Sequence, residues 1–155
     1  MKSLEWAPLG LANRLARVYV GLLDRVVPRL RRVAFRNLAL ALPEVGAARH
    51  TEIVDGVFRS IARLAVSFAK FPAMRRDNVS RWVRYQGFEH FETALRRGRG
   101  VLFATAHLGN WELSAFSHAL MAAPMNVVVR PLDNPLIDRL VERRRSLSGN
   151  RSIGR

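Results

Sequence analysis

Two short apolar runs stand on either side of a helical pattern, and that order constrains the fold of this 155-residue chain more than any other feature. Residues 101–105 (VLFAT) and 126–129 (NVVV) read as buried strands, bounded by Gly98 and Gly100 before the first and by Arg130-Pro131 after the second. Residues 111–122 between them read as a helix that Pro124 closes. With a short helix at 88–97 before and a charged helix at 136–147 after, the order is helix, strand, helix, strand, helix. Strands joined through a helix lie parallel in one sheet, with a right-handed crossover. The expected class is therefore α/β, with a helical N-terminal part followed by a domain built on a βαβ unit.

The N-terminal part divides at its prolines. Residues 9–27 form a helix on which Leu11, Leu15, Val18, Leu22 and Val26 recur at three- and four-residue spacing, ending at Pro28. Residues 29–42 form a second, with Arg31, Arg32 and Arg36 beside Val33, Leu38, Leu40 and Leu42, stopped by Pro43. This basic amphipathic pair has two readings: a solvated face over a core, or a surface that lies on an anionic bilayer. Residues 51–71 carry the clearest pattern, with Ile53, Val57, Ile61, Leu64 and Phe68 as the core stripe and Thr51 as N-cap. Residues 72–86 read as a loop followed by a short strand. A boundary near residue 85 would separate a basic helical region, 1–85, from the α/β region, 86–155. Gly98 and Gly149 suit the ends of the helices that precede them.

Charge narrows the partners. The formal net charge is +14, and of 26 lysines and arginines all but Lys2 and Lys70 are arginine. Arginine suits bidentate contact with phosphate or carboxylate, so nucleic acid, anionic lipid and acidic carrier proteins all fit. The absence of cysteine removes disulfides and thiolate chemistry. Glu5, Arg14 and Arg17 interrupt the apolar N-terminus, so no secretory signal is read there. The longest uncharged run, residues 113–129, is broken by Ser114, Ser117, His118, Pro124 and Asn126 and is short of the about 20 residues of a spanning helix.

His107 and Glu112 interrupt the otherwise apolar stretch at 100–116. On a continuous helix five positions would set them about 140° apart. Gly109 and Asn110 lie between, and Asn110 as N-cap lets Trp111 open the helix. His107 then lies on the turn and Glu112 in the first helical turn, where its carboxylate is expected to reach the imidazole. A carboxylate bonded to one ring nitrogen leaves the other to take a proton from a hydroxyl. Arg130 follows the next strand and is expected at the same sheet edge, where open α/β sheets bind ligands. His118 reads as a packed or surface residue, and His50 and His90 have no comparable carboxylate. No His-Glu-x-x-His, Walker loop or Gly-x-Ser-x-Gly elbow is present.

The block HLGNWE, preceded by RGRGVLFATA and followed by VVVRPLDNPLIDRLVERRRSLSGN, resembles the bacterial lipid A late acyltransferases, relatives of the glycerolipid acyltransferases with a His-x4-Asp/Glu motif. The similarity runs from about Asn37 and is strongest over 87–149. It implies that His107 is the general base, that Glu112 orients it, and that Arg130, Arg145 and Asn110 bind substrate, Arg145 at a position tied to catalysis or phosphate. It implies an acyl carrier protein or acyl-CoA donor, an anionic lipid acceptor such as a lipid A precursor, no metal and no tightly bound cofactor. It also implies a place at the cytoplasmic face of the bacterial inner membrane. Family members continue through further blocks, so the acyltransferase-type domain is expected to be incomplete at the C-terminus and the chain weakly active or inactive. The competing expectation is a non-catalytic basic module for membrane or nucleic acid. It accounts for the charge but not for the expected placing of the His107–Glu112 turn and Arg130 at one sheet edge, and no nucleic-acid motif accompanies it.

Overall fold

Prolines set the helix starts in the first half of the chain. In the computed structural model, which describes residues 1–154, α1 (Lys2–Trp6) is followed by Pro8 as the N-cap of α2 (Leu9–Val26). Pro28 is the first residue of α3 (Pro28–Ala41), where its missing N–H costs nothing and its fixed φ is already helical. α4 (Ala47–Lys70) completes a compact unit, Met1–Lys70; a second unit begins at Phe71.

In the first unit α2 packs chiefly on α4, through its smallest side chains. Ala12, Ala16 and Val20 are buried with Val54, Phe58, Ala62, Val66 and Ala69. The stripe expected on α2 lies on a neighbouring face. Leu15 packs against the core, whereas Val18, Leu22 and Val26 are 64%, 58% and 71% exposed. On α4 the expected stripe is likewise displaced: Phe68 is buried, but Val57 and Ile61 are exposed and the core row runs one position along. The reason is steric. The small Ala12 and Ala16 of α2 leave room for the larger Val54, Phe58 and Val66 of α4, so side chains of unequal size fill the contact.

Polar side chains finish this unit. Arg31 on α3 donates from Nε to both oxygens of Asp24 on α2 (3.0 and 2.9 Å) and from Nη2 to Asp55 on α4 (2.8 Å). Its guanidinium lies 5.1 Å from the Phe58 ring centre, and the bonds to Asp24 and Asp55 raise its pKa. Lys70, buried at the end of α4, donates from Nζ to the carbonyls of Glu5 and Ala7 (2.7 and 2.6 Å) and so satisfies the end of α1.

The second unit holds α5 (Phe88–Arg96), α6 (Trp111–Met121), β1 (Asn126–Val129), α7 (Pro135–Arg145) and β2 (Arg151–Gly154). β1 and β2 are parallel, in register from Asn126 opposite Arg151 to Val129 opposite Gly154. The class is α/β, mostly helical with a small parallel sheet, but the βαβ unit differs from the one expected. It runs β1–α7–β2. Residues 101–106 form no strand, and Leu102 is 97% exposed. An apolar run becomes a strand only when a neighbouring ladder takes its N–H and C=O groups, and among the described residues none lies alongside. The short strand expected before residue 86 is also absent; 3₁₀ turns at Phe71–Ala73 and Val79–Arg81 precede an irregular segment.

Asn150 and Gly149 close the unit around the sheet. Asn150 accepts from the Met125 N–H (2.8 Å) and donates to the Ala115 carbonyl (3.0 Å), tying the middle of α6 to the residue before β1. Gly149 has φ +90°, and a Cβ there would stand 3.0 Å from Pro124 Cγ, so glycine is required. Phe71 and Phe116 stack in the interior with centroids 4.0 Å apart.

Candidate active site

The motif turn forms largely as its residues dictate. Gly109 takes φ +66°, which a β-carbon would resist, and turns the chain into α6. Asn110 caps that helix: its side-chain oxygen accepts from the Leu113 N–H at 3.0 Å. His107 lies in the exposed loop before the cap, its ring centre 4.7 Å from that of Trp111. Glu112 stands in the first turn, as expected.

Its partner is not the expected one. Among the described residues no hydrogen bond joins His107 to Glu112. The Glu112 carboxylate is held by Arg145, the last residue of α7. Arg145 Nε donates to Oε2 at 2.9 Å and Nη2 donates to Oε1. The physical reason is competition. A guanidinium is always charged and matches both carboxylate oxygens, whereas imidazole offers one N–H and is largely neutral near pH 7. Position favours the pair as well. The carboxylate sits at the positive end of α6 and the guanidinium at the negative end of α7. The side chains are 14% and 21% exposed, and the bond to Glu112 raises the Arg145 pKa, with desolvation opposing it.

Among the described residues no hydrogen bond or ion pair joins Arg130 to this pair. Arg130 follows β1, is 87% exposed, and meets only the exposed Asp133 among the described residues, at 3.4 Å. The block after it builds the start of α7. Asn134 accepts from the N–H groups of Leu136 (2.9 Å) and Ile137 (3.2 Å), and Asp138 Oδ1 accepts from Leu132 N–H (2.8 Å). The structure thus brings Glu112 and Arg145 together, orders Asn110 as a cap, and leaves His107 and Arg130 open to solvent.

Sequence reasoning missed the aromatic box behind the motif. His118 on α6 is 5% exposed. Its Nδ1 is 3.1 Å from the Tyr85 hydroxyl, and its ring meets Phe91 and Phe103 edge-on at 4.8 and 4.7 Å. Nε2 has no hydrogen-bond partner among the described residues, and burial pushes the pKa down, so the ring is neutral. Phe103 ties the segment that leads to His107 against the helix that carries Glu112. The only available signal was the clustering of Tyr85, Phe88 and Phe91; nothing in the spacing brings Phe103 to it. Among the described residues no three His, Asp or Glu side chains gather as a metal site would require.

Comparison with known proteins places this arrangement. The model of the bacterial lipid A biosynthesis acyltransferase family matches residues 2–155. The lipid A biosynthesis lauroyltransferase of Escherichia coli is 33% identical over 74% of this chain and 37% of its own length. The palmitoleoyltransferase of the same organism is 27% identical over 79% of this chain and 40% of its own. The phosphatidylinositol mannoside acyltransferase of Mycolicibacterium smegmatis is 28% identical over 72% of this chain and 37% of its own. The matches therefore cover between 37% and 40% of these relatives' length. The chain belongs to the bacterial lipid A biosynthesis acyltransferase family.

Proposed function

We propose that the protein carrying this chain moves a fatty acyl group from a thioester donor, acyl carrier protein or acyl-CoA, to a hydroxyl of an anionic lipid such as a lipid A precursor or a related phospholipid. The observation that carries the reading is the exposed His107 ring, held at the mouth of α6 beside Trp111, five residues before a fixed carboxylate. The names of the relatives support it, since they are a lipid A biosynthesis lauroyltransferase and a phosphatidylinositol mannoside acyltransferase.

In this reaction a ring nitrogen of His107 takes the acceptor's hydroxyl proton as the oxygen attacks the thioester carbonyl. Collapse of the tetrahedral intermediate forms the ester and breaks the C–S bond. The imidazolium returns its proton to the leaving sulfur. Glu112 supports the ring while it is charged, and Arg130 meets a phosphate of the acceptor. The first unit rests on the cytoplasmic face of the inner membrane through the outward stripe of α2, beside which Arg14 and Arg25 fall at 100° per residue. Among the described residues no helix is long and apolar enough to cross a membrane.

The test is transfer of a labelled acyl group to a lipid A precursor by the native protein that carries this sequence. His107→Ala is expected to lower the rate by about 10²- to 10⁴-fold with vesicle binding unchanged. Normal transfer by that variant rejects His107 as the base. Vesicle or DNA binding with no transfer by the wild type favours the basic binding module instead.

A further inference from the structure

We infer that Arg145 is a positioning residue that works through Glu112, and that it does not contact the acceptor's phosphate. The inference rests on the acyltransferase reading above and, of the two roles that the resemblance attached to this arginine, sets aside phosphate binding. Arg145 commits Nε and Nη2, one edge of its guanidinium, to the two oxygens of a single carboxylate. That edge is one of the two by which a guanidinium grips a phosphate bidentately, and the carboxylate closes it to one. Both partners are largely shielded from water, at 21% and 14% exposure. A phosphate that captured Arg145 would leave Glu112 mostly buried without its cation, and an uncompensated buried charge is strongly unfavourable. Arg130 presents the opposite case. It is 87% exposed, and its partner Asp133 is 95% exposed at 3.4 Å, so an anion can displace that contact at little cost.

The pair also fixes geometry that local sequence leaves open. It joins the first turn of α6 to the last residue of α7 across 33 positions. A carboxylate has about four lone-pair sites, so after two bonds from Arg145 it still has one on each oxygen. Arg145 thereby sets which way those remaining sites face. They are available to a His107 ring N–H when the exposed loop settles on a bound acceptor.

Two measurements test this. In the transfer assay, Arg145→Gln is expected to lower kcat by roughly 10²-fold, the order expected for a misplaced catalytic group, with the acceptor KM unchanged. Arg145→Lys should recover part of the loss, and the double variant with Glu112→Gln should be no worse than Glu112→Gln alone. A raised acceptor KM at unchanged kcat, or losses that multiply, overturns the inference. Equal kcat loss in the Lys and Gln variants, tracking a lowered melting midpoint, overturns it in favour of a purely structural role. The second measurement needs no activity. In the 155-residue chain the Arg145 Nε–H resonance is followed by NMR as inorganic phosphate is added. A resonance that moves on Glu112→Gln but not with phosphate supports the inference; a saturable shift with phosphate overturns it. If the wild type transfers no acyl group, the acyltransferase reading fails, and the NMR result still decides where Arg145 is engaged.

Discussion

His118 makes the stability of the second unit depend on pH. Burial lowers its pKa below the 6.5 of an ordinary imidazole. As pH falls, the unfolded chain therefore takes up this proton before the folded one does. The contribution is complete above about pH 6.5 and is lost as pH drops through that value towards the lower folded pKa. Protonation would also put a charge among Phe91, Phe103 and Tyr85, where among the described residues the Tyr85 hydroxyl is its one hydrogen-bond partner. In urea melts of wild type and His118→Phe at about pH 7.5 and about pH 5.5, the wild-type midpoint should fall more than that of the variant. Parallel shifts would mean that His118 is not the group responsible. The sequence left the side chain as either packed or on the surface, and burial decides for packed. The box around it was not legible, because Phe103 reaches it from a segment with no regular periodicity.

Among the elements, α2 separates bulk from burial. Its inward row is Ala12, Ala16 and Val20, and its outward row carries the larger Val18, Leu22 and Val26. Ala16→Leu should overpack the contact with α4 and destabilise the first unit by about 1–3 kcal/mol. Val18→Ser, on the exposed face, should stay within about 0.5 kcal/mol. Chemical denaturation of both variants checks this, and the reverse ranking would show that the large stripe is the core after all. The period of 3.6 revealed that α2 and α4 are helices. It did not reveal which edge of each apolar arc faces inward, because that depends on how closely the partner helix approaches. The strand at 101–105 failed for a related reason: its residues suit a strand, but a strand exists only in a pair.

For the molecule as a whole, the charge of +14 acts together with the outward apolar row. Anionic head groups would attract the arginines, and Val18, Leu22 and Val26 would enter the interface. The chain should bind vesicles of anionic phospholipid and release them as salt rises, because exposed charges are screened over about 8 Å at physiological ionic strength. Leu22→Asp should weaken binding with little change in the melting midpoint, since Leu22 is 58% exposed. Equal binding to neutral vesicles, or an unaffected Leu22→Asp, would count against this surface.

The residues alone determined what depends on near neighbours. Prolines and glycines marked helix ends, Asn110 placed the start of α6, and the alternation of strands and helices pointed to the α/β class, through a unit whose first strand, residues 101–105, does not form. The block around HLGNWE pointed to the acyltransferase family, and the family match bears that out. Tertiary structure decided what depends on distant partners. It chose the row Ala12, Ala16 and Val20 on α2 and the row through Val54, Phe58 and Ala62 on α4 as the core of the first unit, paired β1 with β2 instead of with residues 101–105, and gave Glu112 to Arg145 instead of to His107. Local spacing specifies where a carboxylate stands on its helix. Which cation reaches it first is settled by packing, because the winning guanidinium arrives from 33 residues away.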